Sequence, residues 1–306
     1  MTVGLRERGL RVRLTTAVGV AGYVGLMAAG YAYNLTFVQL GVTSLARDRV
    51  GLESLWVTVS MGGLAVVTCV VALLAGWRMR GWPARRKIGV AAAAVTIQTV
   101  LTALVGLLES PAAFAIWLAV AAVALGIAVP ATFGLASDLV PVPWRGYVAA
   151  AITILAYGGS IVFLGAWDAL ALAGLLVPAM ALGSLGLAVL AVAPGPPARL
   201  VAAFERQAQD TRFANGRFVA PGATRRLAVA AAILFGVFFV DSLGFVRLAD
   251  TAYIAAAWQS PEALDRAALV GAHVAGAIAA GVLYATFDER LLLPWIFGIF
   301  ALVALM

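Results

Sequence analysis

Ionisable side chains inside long apolar runs are the residues of this chain most able to do chemistry. Such a side chain costs about 2.5–3.5 kcal/mol to place at the centre of a bilayer helix, so each needs a reason. Asp241 sits within the apolar run 227–248 and His273, the one histidine of the chain, within 267–286. If the first run enters the membrane near Leu227, Asp241 lies about 21 Å along it at ~1.5 Å per residue. His273 lies about 9 Å into the next run, which returns from the opposite side. The two therefore share a depth on consecutive antiparallel helices. A carboxylate beside an imidazole favours its protonated form, and a change of solvent access shifts either group. That chemistry suits proton- or substrate-linked work. The alternatives are a structural polar contact, or Asp241 paired with Arg247 near the outer boundary.

A second set is polar but not ionised. Tyr23, Met27, Tyr31 and Asn34 recur every three or four residues and share a helix face. The stripe can line a cavity in which Asn34 bonds a solute, or it can pack on a neighbouring helix. Ser60, Gln98, Tyr157 and Ser160 are weaker candidates, since a serine within a helix commonly bonds its own backbone. Cys69 is the one cysteine, in the middle of an apolar run, with nothing beside it to activate a thiol. No grouping of His, Cys, Asp or Glu in the sequence suggests a metal or cofactor site.

The elements that must position these residues are nine apolar runs, at about 14–40, 55–76, 88–108, 112–136, 147–167, 170–192, 227–248, 267–286 and 292–306. Most approach the ~20 residues needed to cross a bilayer, and they are too long and too uniformly apolar for barrel strands. The fold expected is an all-α membrane bundle. At 63% hydrophobic and 11% charged residues, the composition lies far from soluble averages. The net charge of +7 therefore reads as membrane loops, with the lipid bilayer as partner and not nucleic acid.

Basic residues alternate between connections. The N-terminus carries Arg6, Arg8, Arg11 and Arg13, and the following run is too long for a cleaved signal peptide. The second connection holds Arg78, Arg80, Arg85, Arg86 and Lys87 without an acid, and the sixth holds six arginines against Glu205 and Asp210. The third has only Glu109 and the fifth only Asp168, while the first (Arg47, Asp48, Arg49, Glu53) is mixed. The expectation is a multi-pass protein of the cytoplasmic membrane with its N-terminus inside. Trp77, Trp82, Trp144 and Trp295 then fall at inner ends and Trp56, Trp167 and Trp258 at outer ends; Trp117 lies deeper.

The sixth connection divides the chain into a six-helix half (1–193), a linker (194–226) and a partial second half (227–306). It opens Pro194-Gly-Pro-Pro, which stops a helix. Ala198–Gln209 is expected to form a surface helix with Leu200, Val201, Phe204 and Ala208 toward the membrane.

The junction between the fourth and fifth runs reads Gly126-Ile-Ala-Val-Pro130-Ala-Thr-Phe-Gly134-Leu-Ala-Ser-Asp138-Leu-Val-Pro141-Val-Pro-Trp-Arg145-Gly146. Asp138 can accept from local amides or pair with Arg145, and Gly146 permits close approach of the next helix. This segment resembles the corresponding junction of the major facilitator superfamily, where a Gly/Pro-rich fourth helix meets an Asp-x-x-Pro-x-x-x-Arg-Gly turn. The six-plus-linker layout is similar too. The resemblance implies a twelve-span transporter of which this chain, apparently truncated at its C-terminus, supplies about three quarters. The family's loop between helices two and three carries an acid, whereas Gly76–Lys87 keeps Gly76, Gly81, Arg85 and Arg86 but has none. The fourth run also lacks the arginine found in many proton-coupled members.

The resemblance implies a secondary transporter moving an unknown small solute by alternating access, driven by an ion gradient or by none; protons enter as a candidate coupling partner through Asp241 and His273. Gly76, Arg85, Arg86, Asp138, Arg145 and Gly146 are the conformational-loop candidates, and Asp241, His273, Arg247, Tyr31 and Asn34 the solute or ion candidates. No phosphate-binding Gly-x-x-x-x-Gly-Lys-Ser/Thr loop is present. One histidine and one cysteine make a membrane enzyme a poor reading. A transporter-fold sensor or scaffold without transport is the competing class.

Overall fold

A computed structural model describes residues 2–79, 81–141, 144–160 and 169–214, with 271, 274–279 and 282. Among the described residues all regular structure is helical. The elements are α1 (Thr2–Tyr33), a π-helical stretch (Asn34–Gly41), the short α2 (Val42–Ser44) and a π turn (Leu45–Arg49). Then come α3 (Ser54–Arg78), α4 (Ala84–Ala103) with a 3-10 extension (Leu104–Leu107), α5 (Pro111–Leu139), α6 (Arg145–Ser160), α7 (Ala169–Val192) and α8 (Pro196–Ala214). Four segments are long and apolar enough to cross a bilayer: Ser54–Arg78, Ala84–Leu107, Pro111–Ala136 and Leu170–Val192. They make this a membrane protein by length and composition.

Helix ends follow local chemistry. Ser110 caps α5 by accepting from the Ala113 amide, ahead of Pro111 at the first helical position. Gly195 takes φ +80°, a conformation favoured by glycine, so the chain can leave α7 and restart at Pro196. Gly51 and Gly81 play the same part between α2 and α3 and between α3 and α4. Threonines inside the helices are satisfied locally: Thr96, Thr99, Thr102 and Thr153 each donate to the carbonyl four residues back.

The first connection differs from expectation. Arg47, Asp48 and Arg49 are helical, and only a short turn precedes α3. Leu45 and Ala46 are buried there, and Ser44 donates to Asp48 one turn on, which keeps this segment wound.

α3 packs on α5, α4 on both α5 and α7, and α1 on α6. The main core lies toward the end of the bundle that holds Arg49 and Glu109. There Tyr33 stacks on Phe37 at 5.4 Å, and Trp117 meets Phe37 and Phe114 at 6.4 and 6.2 Å. Trp117 is buried, as its depth in the sequence suggests, and donates its indole N–H to the Leu101 carbonyl at 2.8 Å. A second core, with Tyr23, Ile88, Leu135, Val148 and Val201, lies toward the other end.

Close approach of α3 to α5 is set by glycines. A Cβ on Gly126 would lie 2.6 Å from Val71 Cβ and 2.8 Å from the Thr68 carbonyl oxygen, so α5 meets α3 there only because residue 126 lacks a side chain. Gly76 faces Pro130 in the same interface. At Gly62, Gly63, Gly158, Gly159 and Gly271 a Cβ would have no described atom within 4 Å.

Candidate functional site

The candidate site is the basic end of the bundle, where the α3–α4 turn, the end of α5, the start of α6 and the α7–α8 turn converge. Asp138, in the last turn of α5, is buried, and so is Lys87, in the first turn of α4. Their charged atoms meet at 2.5 Å, and Lys87 also donates to the Gly134 carbonyl at 3.3 Å. Gly134 leaves room for the lysine stem: a Cβ there would lie 3.4–3.6 Å from its last three atoms. The pair therefore crosses from α4 to α5 with its charges mutually satisfied. Losing either partner would strip the other, still buried, of its counter-charge.

Lys87 is a partner of Asp138 beyond the two the sequence offered: the end of α5 faces the first turn of α4, and the ammonium arrives from there. Arg145 stands at the start of α6. Its Nε–H has no partner among the described residues. Gly146 beside it is buried.

The absent loop acid is supplied from elsewhere. Glu205, on α8, accepts the Ala84 amide at the start of α4. A carboxylate there satisfies an amide that has no intrahelical partner and sits favourably at the positive end of the helix dipole. Phe204 beside it lies over Gly19 of α1, where a Cβ would come within 2.7 Å of the ring. Val201 is buried in the core beneath. The linker helix expected at Ala198–Gln209 is thus present and longer, and Val201 and Phe204 of its expected apolar face rest on the bundle.

Arg85 and Arg86 point to different tasks. Arg85 donates to the carbonyls of Ala191 at 2.6 Å and Ala193 at 2.9 Å, closing the C-terminal end of α7. Arg86 lies 3.7 Å above the Trp82 ring and is exposed. Gly76, packed on Pro130, sets the approach of α3 to α5 just before the turn. At the opposite end Arg49 does for α4 what Arg85 does for α7, donating to the Gly106 and Leu108 carbonyls at 2.5 and 3.3 Å. Nothing in the sequence marks Lys87, Glu205 or Arg49 off from their charged neighbours. The one available signal was the unbalanced charge of Gly76–Lys87, which demands anions from other segments.

The solute candidates separate. Tyr31 and Tyr157 meet edge to face at 5.9 Å, joining α1 to α6. Tyr31 is 38% exposed and Tyr157 is buried. Tyr23 and Met27, expected on the same stripe, are buried in the core. Eight residues of α-helix accumulate about 80° of rotation, enough to turn Tyr31 out of the face that holds Tyr23. Asn34 opens the π-helical stretch, a geometry frequent at functional positions. Gln98 is buried with no partner for its amide nitrogen among the described residues. Tyr33, which the sequence did not single out, bonds Thr102 at 2.9 Å one turn farther along α4. Asp241, Arg247 and His273 lie outside the described residues.

No family model, no curated protein and no solved structure matches this chain.

Proposed function

We propose that the chain is a secondary transporter of the major facilitator type, moving a small solute across the cytoplasmic membrane by alternating access. The observation that carries this reading is the pairing of its helices. Take α1 with its continuation, α3 and α4 as one triplet and α5, α6 and α7 as the next. Exchange the triplets in order, and the pairs α3–α5 and α1–α6 change places while α4–α7 maps onto itself. The additional α4–α5 contact maps onto α7 against the π-helical continuation of α1, which also pack together. Three is odd, so successive triplets start from opposite faces, and the repeat is inverted. Inverted three-helix repeats within a six-helix half are the construction of this superfamily.

The basic end supports the same reading. Lys87–Asp138 joins the two triplets beside the junction whose residues resemble the family's, and Glu205 supplies the acid that the α3–α4 turn lacks. In this reading these contacts hold the cytoplasmic face closed in one state and part in the other. The N-terminus is then inside, and Tyr31, Tyr157 and Asn34 face the solute path. Asp241 and His273 are the proposed proton-linked pair.

Uptake into proteoliposomes, across a panel of solute classes with and without a pH gradient, tests this. Flux of at least one class is expected, and Asp241→Asn should remove its response to the gradient. Flux with unchanged pH dependence would end the coupling role. No flux for any class would instead favour a transporter-fold sensor or scaffold.

A further inference from the structure

The cations around the α3–α4 turn sort into two groups. Lys87 is spent on Asp138 and Arg85 on the carbonyls of α7. Arg78 and Arg86 are left on the outside, and among the described residues neither has a carboxylate partner. They come from different helices, the last residue of α3 and the first turn of α4, yet both address one indole. Arg86 lies 3.7 Å and Arg78 5.8 Å from the centre of the Trp82 ring. Like charges gathered at one ring repel unless an anion joins them. Arg86 also stands at the positive end of the α4 dipole, where a cation is disfavoured.

The platform beneath them is built, not incidental. Trp82 packs against the cluster of Met79, Ala91 and Ala131. Its amide donates to the Met79 carbonyl at 3.0 Å, across a turn that Gly81 makes possible with φ +80°. The adjoining face of α3 is apolar and open: Leu73, Leu74 and Trp77 are all exposed, Trp77 by 76%. An apolar, exposed helix face that ends in a tryptophan and then in arginines is the profile of a membrane boundary.

We infer that Arg78, Trp82 and Arg86 form a binding site for the headgroup phosphate of an anionic phospholipid, whose acyl chains lie along Leu73, Leu74 and Trp77. Guanidinium groups match phosphate oxygens with paired N–H donors. Neither arginine is paired with a carboxylate among the described residues, so both charges are open to a net anion, and an anionic lipid is preferred over a zwitterionic one. The site rests on the bilayer placement of the helices and not on transport.

The full chain in nanodiscs of phosphatidylcholine with a minor fraction of phosphatidylglycerol provides the test, with one or the other lipid brominated. The fluorescence difference between the parent and Trp82→Phe isolates the Trp82 signal. Brominated phosphatidylglycerol should quench it more than an equal fraction of brominated phosphatidylcholine. Arg78→Gln and Arg86→Gln should each cut that preference about fivefold, while Arg78→Lys with Arg86→Lys should retain most of it. Both arginines are exposed, so the glutamine variants should keep the parent's helicity by circular dichroism. Equal quenching by both lipids in the parent, or a preference that survives the double glutamine variant, overturns the site. Displacement of the lipid by inorganic phosphate assigns a soluble anion and overturns the lipid assignment. Absence of quenching of every tryptophan by brominated phosphatidylcholine would overturn the bilayer placement itself.

Discussion

At the scale of single residues, burial separates charges that a sequence presents as equals. Arg85, Arg86 and Lys87 are consecutive, yet one closes a helix, one covers an indole and one is buried against Asp138. A buried pair is weak evidence of net stabilisation, but breaking it is costly because a lone charge remains. Lys87→Met or Asp138→Asn should each lower stability by about 3–5 kcal/mol. Lys87→Met with Asp138→Asn should cost less than the sum of the single changes, as read from denaturation in detergent. Additive losses would show that the two charges are not coupled. Gly126→Ala should cost about 1–3 kcal/mol through overpacking. Val71→Ala should not rescue it, because Val71 Cβ and the Thr68 carbonyl would remain in the way.

At the scale of elements, the apolar runs were legible and the charged joints were not. Runs 55–76, 112–136 and 170–192 agree with α3, α5 and α7 to within a few residues, because in lipid only continuous hydrogen bonding satisfies the backbone. The start of α4 was read late, at 88, because Arg85 to Lys87 look like loop residues. They are helical because Glu205, Asp138 and the α7 carbonyls absorb their charge and that of the helix end. Such partners lie 51 to 121 positions away in sequence, beyond any local pattern. The linker helix was legible by its amphipathic spacing, but spacing cannot say whether an apolar face meets lipid or protein. Its docking makes α8 the element to test. Glu205→Ala leaves the Ala84 amide without its cap, at a cost of about 0.5–2 kcal/mol. Faster hydrogen exchange is then expected in α8 and in the first turn of α4, with α5 and α7 unchanged. Gly19→Leu should loosen α8 in the same way by displacing Phe204.

At the scale of the whole molecule, the two ends of the bundle differ in chemistry. One carries an aromatic core closed by Arg49; the other carries the ion pair, the docked linker helix and the surface arginines. The proposed orientation places the second end in the cytoplasm, and cysteine labelling checks it. Cys69 is the one native cysteine, so Cys69→Ser gives a clean background. In sealed cells, a membrane-impermeant maleimide should label Ser110→Cys and spare Arg199→Cys. The reverse pattern would invert the topology and remove the cytoplasmic reading of the basic end.

The π-helical stretch Asn34–Gly41 has a consequence for phase. A π turn accommodates one residue more than an α turn, so the helix on either side is offset in rotation from a regular wheel. Deleting one residue between Asn34 and Gly41 would let the backbone return to ordinary α-helical bonding. It would also swing everything on one side by about 100° relative to the other. Tyr31 would then leave Tyr157, or Phe37 would leave Trp117. The segment works as a fixed torsional offset: it lets a single continuous helix serve an open tyrosine pair and a closed aromatic core at the same time.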